Sequence, residues 1–228
     1  MMGTMPSTST SASYRDRPLV DRAITRTVAK RYAAAAAEIE RIIEATYAVI
    51  ARTGSVDPPM REILREAGVS TQVFYRHFQS KDELMLVILD DGRRRLADYL
   101  RHKMERAGDP VGAIGAWIEG TLAQAADPEA AQRTRPFIAN LGHLQEQYPD
   151  EHRESVQVLV QLVEEAIAEA AAAGRLASDD PHADAMAIYH LAQGSMELHL
   201  RERSAPPPEE AAHLVAFALR ALGVDRGT

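Results

Sequence analysis

The chain has 228 residues, of which 46% are hydrophobic and 26% are charged, a composition typical of a globular protein with one or two packed cores. It contains no cysteine, which excludes disulfide frameworks, thiolate zinc sites and thiol nucleophiles. The net charge of −7 is uneven, because residues 1–90 carry 12 basic and 11 acidic side chains whereas residues 91–228 carry 14 and 22.

The N-terminal segment reads as a tail followed by a basic extension. Residues 1–18 are rich in Ser and Thr without apolar periodicity, which predicts a disordered tail. Residues 19–33 form a basic extension, either a solvated helix face or an arm that contacts DNA phosphates or the minor groove. The chain has no apolar run long enough for a signal peptide or a membrane span, so we expect a cytoplasmic protein without a membrane partner.

The remainder of the chain predicts an all-α fold. Polar caps, often followed by proline, begin the apolar-periodic segments, and glycine follows several of them. The strict alternation and tight turns of β-hairpins are missing from the sequence. We predict helices at about residues 33–53, 59–67, 70–78, 80–106, 110–126, 128–145, 150–173, 181–203 and 208–222, and a further candidate at 19–32.

Three of these helices, within residues 34–84, predict a helix-turn-helix domain. Gly68 suits the turn, because glycine adopts a positive φ at little cost, and Ser70 can cap the following helix. The apolar side chains that would hold the two helices together are Ile63, Leu64, Val69, Phe74 and Phe78.

The opposite face of the second helix carries polar side chains that suit DNA. Gln72 can pair with adenine, and Arg76 can pair with guanine or a phosphate. The Tyr75 hydroxyl can reach a phosphate. Lys81 adds a cation at the start of the next helix, where unpaired backbone N–H groups already favour an anion. The candidate DNA-binding residues are Thr71, Gln72, Val73, Tyr75, Arg76, His77 and Lys81.

Residues 41–54 and 63–89 resemble the DNA-binding domain of the tetracycline-repressor (TetR) family. The pattern A-G-V-S-x-x-x-[LF]-Y-x-H-F-x-S-K-[ED]-x-L is matched without a gap from Ala67 to Leu84. The resemblance implies that Thr71, Gln72 and Val73 lie nearest the bases and that Tyr75, His77 and Lys81 hold the phosphates.

For the whole chain, the resemblance implies a homodimeric repressor. Residues 85–228 would form a larger helical domain that binds a small-molecule ligand and makes the dimer. Binding of the ligand would release the protein from a palindromic operator in double-stranded DNA.

Two features depart from the family pattern. Pro58 and Pro59 stand where a hydroxyl side chain usually caps the helix and contacts a phosphate, and Asp57 is an alternative cap. Leu64 replaces a small residue, which predicts a slightly different packing inside the motif.

The C-terminal domain offers candidates for a ligand pocket and a dimer interface. The aromatic and polar-tipped side chains that could line a cavity between helices are Trp117, Phe137, Leu141, His143, Tyr189 and His190, although most such side chains form core. The last two helices, 181–203 and 208–222, have wide apolar faces suited to a four-helix interface or to covering their own core. His190 and His199 are nine residues apart, so they do not form a metal pair on one helix face, and we expect neither metal nor cofactor.

Two rival functions remain. An enzyme would need a phosphate loop, a Gly-x-Ser-x-Gly elbow, a His-Glu-x-x-His motif or a catalytic cysteine, and the sequence has none of these, so we expect no catalytic residues. A helical protein-interaction module that has lost DNA binding is the second rival, and the Pro58-Pro59 pair is the feature that favours it.

Overall fold

In the computed structural model, residues 18–55 and 57–224 are described, and the regular secondary structure within these ranges is helical. The chain divides into two compact units, Met1–Arg41 and Ile42–Thr228, which we describe separately. The helices are α1 (Pro18–Thr53), α2 (Met60–Ala67), α3 (Thr71–His77), α4 (Lys81–Glu105), α5 (Pro110–Ala126), α6 (Pro128–Gln147), α7 (Pro149–Ala172), α8 (Pro181–Glu202) and α9 (Glu210–Ala221).

The two helices predicted at 19–32 and 33–53 form the single helix α1. The sequence between residues 19 and 53 contains neither glycine nor proline. Residues 33–37 are all alanine, the residue type with the highest helix propensity. The separation into two elements was therefore wrong. Of the tail predicted over residues 1–18, all but Pro18 lies outside the described residues.

The described part of the first unit is the N-terminal part of α1. Its larger apolar side chains, Leu19, Ile24, Val28 and Tyr32, are all more than half exposed. The basic side chains of the same segment, Arg22, Arg26, Lys30 and Arg31, are exposed as well. This segment is amphipathic, but its apolar side is open within its own unit.

Within the second unit, predicted N-cap residues mark where most of the helices begin. Side-chain oxygens accept a hydrogen bond from the first helical turn at Ser70, Ser80, Asp109, Asp127 and Asp180. Proline follows each of the three aspartates, because the first helical position needs no N–H donor.

The core of the second unit is centred on α5. Trp117 is fully buried, and its indole N–H donates a hydrogen bond of 3.1 Å to the carbonyl of Leu159 on α7. Gly120 lies against the side chain of Leu100 on α4, where an added Cβ would be 2.5 Å from Leu100 Cδ2. At Gly115 an added Cβ would be 3.2 Å from Val215 Cγ1 on α9. The small residues of α5 therefore allow its neighbours to approach closely.

Helix α4 has buried side chains along most of its length, and those of Ala97 and Leu100 belong to this core. Buried side chains occur from Leu84 at its start to Leu100 near its end, so the same helix packs both near the helix-turn-helix and inside the C-terminal body. Among the helices of the described ranges, we find none that combines the length and the apolar character needed to cross a membrane.

Candidate nucleic-acid interface

Helices α2 and α3 are joined by a three-residue turn that the sequence encodes locally. Gly68 has φ of 64°, in the left-handed region that favours glycine, and its N–H donates to carbonyls at the end of α2. The Ser70 hydroxyl oxygen accepts a 3.3 Å hydrogen bond from the N–H of Val73 and caps α3. The turn and the cap together define where α3 begins.

The inner face of α3 is fixed by two phenylalanines. Phe74 is fully buried, Phe78 is 4% exposed, and their rings stack with centroids 5.3 Å apart, as the sequence predicts. Ile63 and Ala67 of α2 are also buried, whereas Leu64 and Val69 are half-buried. A seven-residue helix is too short to be stable in water by itself, so this burial supplies the free energy that holds it in place.

The outer face of α3 carries the predicted DNA-binding side chains. Thr71, Gln72 and Arg76 are exposed, and Tyr75 is 60% exposed. Val73 and His77 are half-buried at the sides of the helix. This face therefore presents hydrogen-bond donors and acceptors to solvent on a helix that fits a major groove.

The start of α4 borders this face. The Ser80 hydroxyl oxygen accepts a 3.0 Å hydrogen bond from the N–H of Glu83, as the predicted capping box requires. The reciprocal hydrogen bond differs in its donor, because the Glu83 carboxylate accepts from the N–H of Gln79. Both orient the first turn of α4 beside α3.

The expectation that Asp57 caps α2 was wrong. Pro59 is the N-cap residue of α2 and makes no side-chain cap hydrogen bond. The Asp57 carboxylate instead accepts a hydrogen bond from the Lys81 ammonium and forms an ion pair with it. Lys81, predicted from sequence as a phosphate contact, thus already has an exposed anionic partner, and a phosphate would compete with that carboxylate.

A second ion-pair cluster lies on α2. Arg52, at the end of α1, lies 3.2 Å from a carboxylate oxygen of Glu62 and 3.9 Å from one of Glu66. Exposed pairs of this kind add little stability. Their effect is to reduce the negative field that two unpaired glutamates would create on this side of α2.

Tyr47 connects the last part of α1 to α4. Its hydroxyl lies 3.0 Å from the carbonyl of Ile88 and 3.0 Å from a carboxylate oxygen of Asp91. Burial and the Asp91 carboxylate raise the pKa of Tyr47, so the phenol keeps its proton and remains a donor. The guanidinium of Arg95 lies 5.0 Å from the centre of the same ring.

The six candidate pocket residues separate into two groups. Trp117, Phe137, Leu141 and Tyr189 are buried, and the rings of Trp117 and Tyr189 are 6.4 Å apart. Phe137 contacts Tyr47 rather than this pair, with ring centroids 6.0 Å apart. The other two, His143 and His190, are exposed. The structure thus brings Trp117 and Tyr189 together in the interior, and the exposed His190 ring lies 5.3 Å from that of Tyr189.

Sequence reasoning missed a buried arginine near this aromatic pair. Arg93 of α4 is 6% exposed and contacts His152 and Ser155 of α7. A signal was present in the sequence, because Arg93 occupies a position in an otherwise apolar stripe with the spacing of one helix face. The stripe consists of Leu86, Leu89, Arg93, Ala97 and Leu100.

Comparison with known proteins identifies the helix-turn-helix segment. Residues 42–88 match the family model described as bacterial regulatory proteins, tetR family. This range begins within α1 and ends within α4, so it contains α2, the turn and α3 completely.

Solved structures show that the likeness in fold extends over most of the chain. RolR in complex with resorcinol has a TM-score of 0.66 at 15% identity and covers 85% of this chain and 91% of its own. A TetR transcription regulator from Haloarcula marismortui has a TM-score of 0.62 at 19% identity, with coverages of 82% and 96%. FadR from Bacillus subtilis, in complex with stearoyl-CoA, has a TM-score of 0.59 at 16% identity, with coverages of 83% and 99%. At these identities the likeness establishes a shared fold.

The different roles of the two faces of α3 predict different effects of neighbouring truncations. Phe74→Ala removes a fully buried ring and should lower the free energy of unfolding by about 3–5 kcal/mol. Tyr75→Ala removes a mostly exposed ring and should cost about 1 kcal/mol at most. Chemical denaturation at one fixed protein concentration measures both, and equal losses would contradict the assignment of faces.

Proposed function

We propose that this chain is a DNA-binding transcriptional regulator of the TetR family, because residues 42–88 match the family model described as bacterial regulatory proteins, tetR family. We further propose that it is a repressor, released from a palindromic operator by a small-molecule ligand. The observation that carries the proposal is the exposed polar face of α3, held from behind by Phe74 and Phe78. The family consists of regulatory proteins, which supports a role without catalysis.

In this proposal α3 is the recognition helix. Thr71 and Gln72 contact base edges, Gln72 by the bidentate pairing that amide side chains make with adenine. Val73 lies beside them, where its methyl groups suit the methyl group of thymine. Tyr75, Arg76, His77 and Lys81 hold the sugar-phosphate backbone and set the register of the helix in the groove.

The rival function, a protein-interaction module without DNA binding, gains support from Pro59. The N-cap of α2 offers no hydroxyl group to a phosphate, so one family contact is missing. The exposed polar side chains of α3 favour DNA binding, because a protein-docking surface has an apolar centre.

Two neighbours in fold bind ligands, resorcinol in RolR and stearoyl-CoA in Bacillus subtilis FadR, and this supports a small-molecule effector for residues 85–228. We propose that α4 carries the signal, because it begins beside α3 and ends in the C-terminal core. Tyr47 anchors the end of α1 to the middle of α4, so a shift of α4 would move the helix-turn-helix. A ligand acts in this way only if it binds the released conformation more tightly than the DNA-bound one.

We propose that the protein acts as a homodimer through α8 and α9. The outer side of α8 carries Ala187, Leu191, Gly194 and Leu198, which follow the heptad-like spacing that two packed helices require. An added Cβ at Gly194 would meet no atom within 4 Å, and Leu198 is 53% exposed. On α9, Phe217 is 51% exposed. Two copies would place two recognition helices on successive half-sites of an operator.

The domain limits that we propose are 34–84 for the DNA-binding domain and 85–228 for the ligand-binding and dimerisation domain. The preceding residues 19–33 form a basic extension. A regulator of this kind would act in the cytoplasm, where bacterial DNA is located.

Substitution of Gln72 tests the function directly. The wild-type protein should shift DNA from upstream of its own gene in the presence of competitor DNA. Gln72→Ala should weaken this binding by about 1–3 kcal/mol for each half-site, because a bidentate base contact is lost. Gln161→Ala, on the exposed side of α7, should leave it unchanged. A wild-type protein that binds its upstream DNA no better than random DNA would favour the interaction-module alternative.

The basic extension generates a second prediction. Exchanging Arg22, Arg26 and Lys30 for glutamine keeps a helix-forming side chain at each position but removes three exposed charges. If they contact phosphates, the slope of log Kd against log salt concentration should fall by about 0.9 for each lost contact. An unchanged slope would mean that these side chains are only solvated.

The dimer proposal predicts that Phe217→Glu produces a monomer. A buried carboxylate at a helix-helix interface costs several kcal/mol, so association and operator binding should be lost together. Tyr99→Glu, at a 46% exposed aromatic residue of α4, is the matched control and should remain dimeric. Analytical ultracentrifugation at micromolar concentration measures both, and a dimeric F217E protein would remove α9 from the interface.

A further inference from the structure

The apolar stripe of α4 contains one charged residue, Arg93. Its neighbours along the stripe, Leu89 and Ala97, are packed in the interior, and only 6% of Arg93 is exposed. A guanidinium keeps its proton at every physiological pH, so α4 places a permanent positive charge within the core of the second unit.

The hydrogen-bond partners of Arg93 are neutral. One of its terminal nitrogens, Nη1, donates to the hydroxyl of Ser155 at 3.1 Å. Nη1 and Nη2 are each 3.3 Å from Nδ1 of His152. Burial and the adjacent guanidinium lower the pKa of His152 to about 4, so its imidazole is uncharged at neutral pH. Neither partner supplies a negative charge.

The nearby carboxylates are engaged elsewhere. Within the described ranges, we find no carboxylate oxygen within 4 Å of the Arg93 guanidinium. Asp90 pairs with Arg94 at 2.7 Å, and Glu197 pairs with Arg201 at 3.2 Å. Burial lowers the pKa of Arg93, which expresses the cost of keeping its charge away from water. A buried charge without an ionic partner is costly, so a residue that served packing alone would be apolar here.

The side chains and the cleft near Arg93 could accommodate the uncharged part of a ligand. Burial raises the pKa of Tyr189 and the nearby Arg93 guanidinium opposes that rise, and the Tyr189 ring lies 6.4 Å from the ring of Trp117. Ser155 also lines a cleft of about 240 Å³ between α4 and α7. The cleft therefore leads from the surface to Ser155, a hydrogen-bond partner of Arg93.

On the basis of the proposed function, we propose that Arg93 and Ser155 bind the carboxylate group of the effector, a small organic monocarboxylate. A guanidinium forms two parallel hydrogen bonds to a carboxylate, and the single negative charge balances the single buried positive one. Asp90, Glu151 and Glu154 line the cleft and repel any anion in proportion to its charge, which disfavours phosphate dianions and dicarboxylates more than a monocarboxylate. The volume of the cleft suits a small molecule.

Aromatic and aliphatic carboxylates with neutral counterparts test this assignment. The probes are benzoate, phenylacetate and octanoate, each compared with its amide, and the readouts are the melting temperature of the full-length protein and its tryptophan fluorescence. Trp117 is the single tryptophan and lies beside Tyr189, so it reports binding near Arg93. At least one carboxylate should raise the melting temperature and change the tryptophan emission. Its amide should need a concentration at least about tenfold higher to produce the same changes.

Two variants locate the effect. Arg93→Met removes the buried charge at similar length and should abolish the preference for the carboxylate. Arg94→Met removes an exposed guanidinium one residue further along α4 and should retain it. If R93M does not fold, Arg93→Lys keeps the charge without the bidentate geometry and should bind the carboxylate more weakly than wild type does. Lack of carboxylate preference for all three probes, or equal preference in the wild type and R93M, would overturn the proposal.

Operator binding, measured on the same preparations, separates this proposal from the proposed function. R94M without added probe should bind operator DNA like the wild type. A wild type that binds its operator but shows no carboxylate preference would refute the Arg93 site alone. A wild type that shows Arg93-dependent carboxylate binding but no operator binding would refute the regulator and leave the site standing.

Discussion

The structure of the interface depends on the burial of Phe74 and its stacking on Phe78. Helix α3 is only seven residues long, and a helix of that length does not persist in water without tertiary packing. The two rings attach it to α2 and at the same time determine which way its other side chains point. Thr71, Gln72 and Arg76 are exposed because the buried Phe74 and Phe78 occupy the opposite side of the helix. The proposed DNA contacts are thus a consequence of one hydrophobic contact.

Helix α4 links the region of α3, which Phe74 and Phe78 hold in place, to the rest of the second unit. It starts at the Ser80 cap beside α3, receives the Tyr47 hydroxyl near its middle and ends against the glycines of α5. Close packing allows such a helix a few discrete positions rather than a continuous range. In the proposed function, a molecule bound between α4 and α7 would act on the orientation of α3 through a rigid element and would in this way couple ligand binding to DNA binding.

Two of the places where the sequence departs from local rules carry functional hypotheses. Arg93 puts a charge into an apolar stripe, where its hydrogen-bond partners His152 and Ser155 carry no negative charge. Pro59 begins α2 without a side-chain cap, and the nearby Asp57 pairs with Lys81 instead. Five other helices of the second unit begin at side-chain caps, whereas Pro136 inside α6 and the left-handed Arg203 after α8 are further departures to which we attach no functional hypothesis.

The sequence by itself determined the all-α class, most helix boundaries, the stacked phenylalanines and the outward face of α3, because caps, glycines and the helical period act over a few residues. It misjudged α1, since a uniform run of good helix formers contains no internal boundary signal. The tertiary structure alone decided which distant side chains meet. Asp57 and Lys81 are 24 residues apart, Tyr47 and Asp91 are 44, and Arg93 and Ser155 are 62. Such pairs depend on how whole helices pack, and no spacing along the chain encodes that packing.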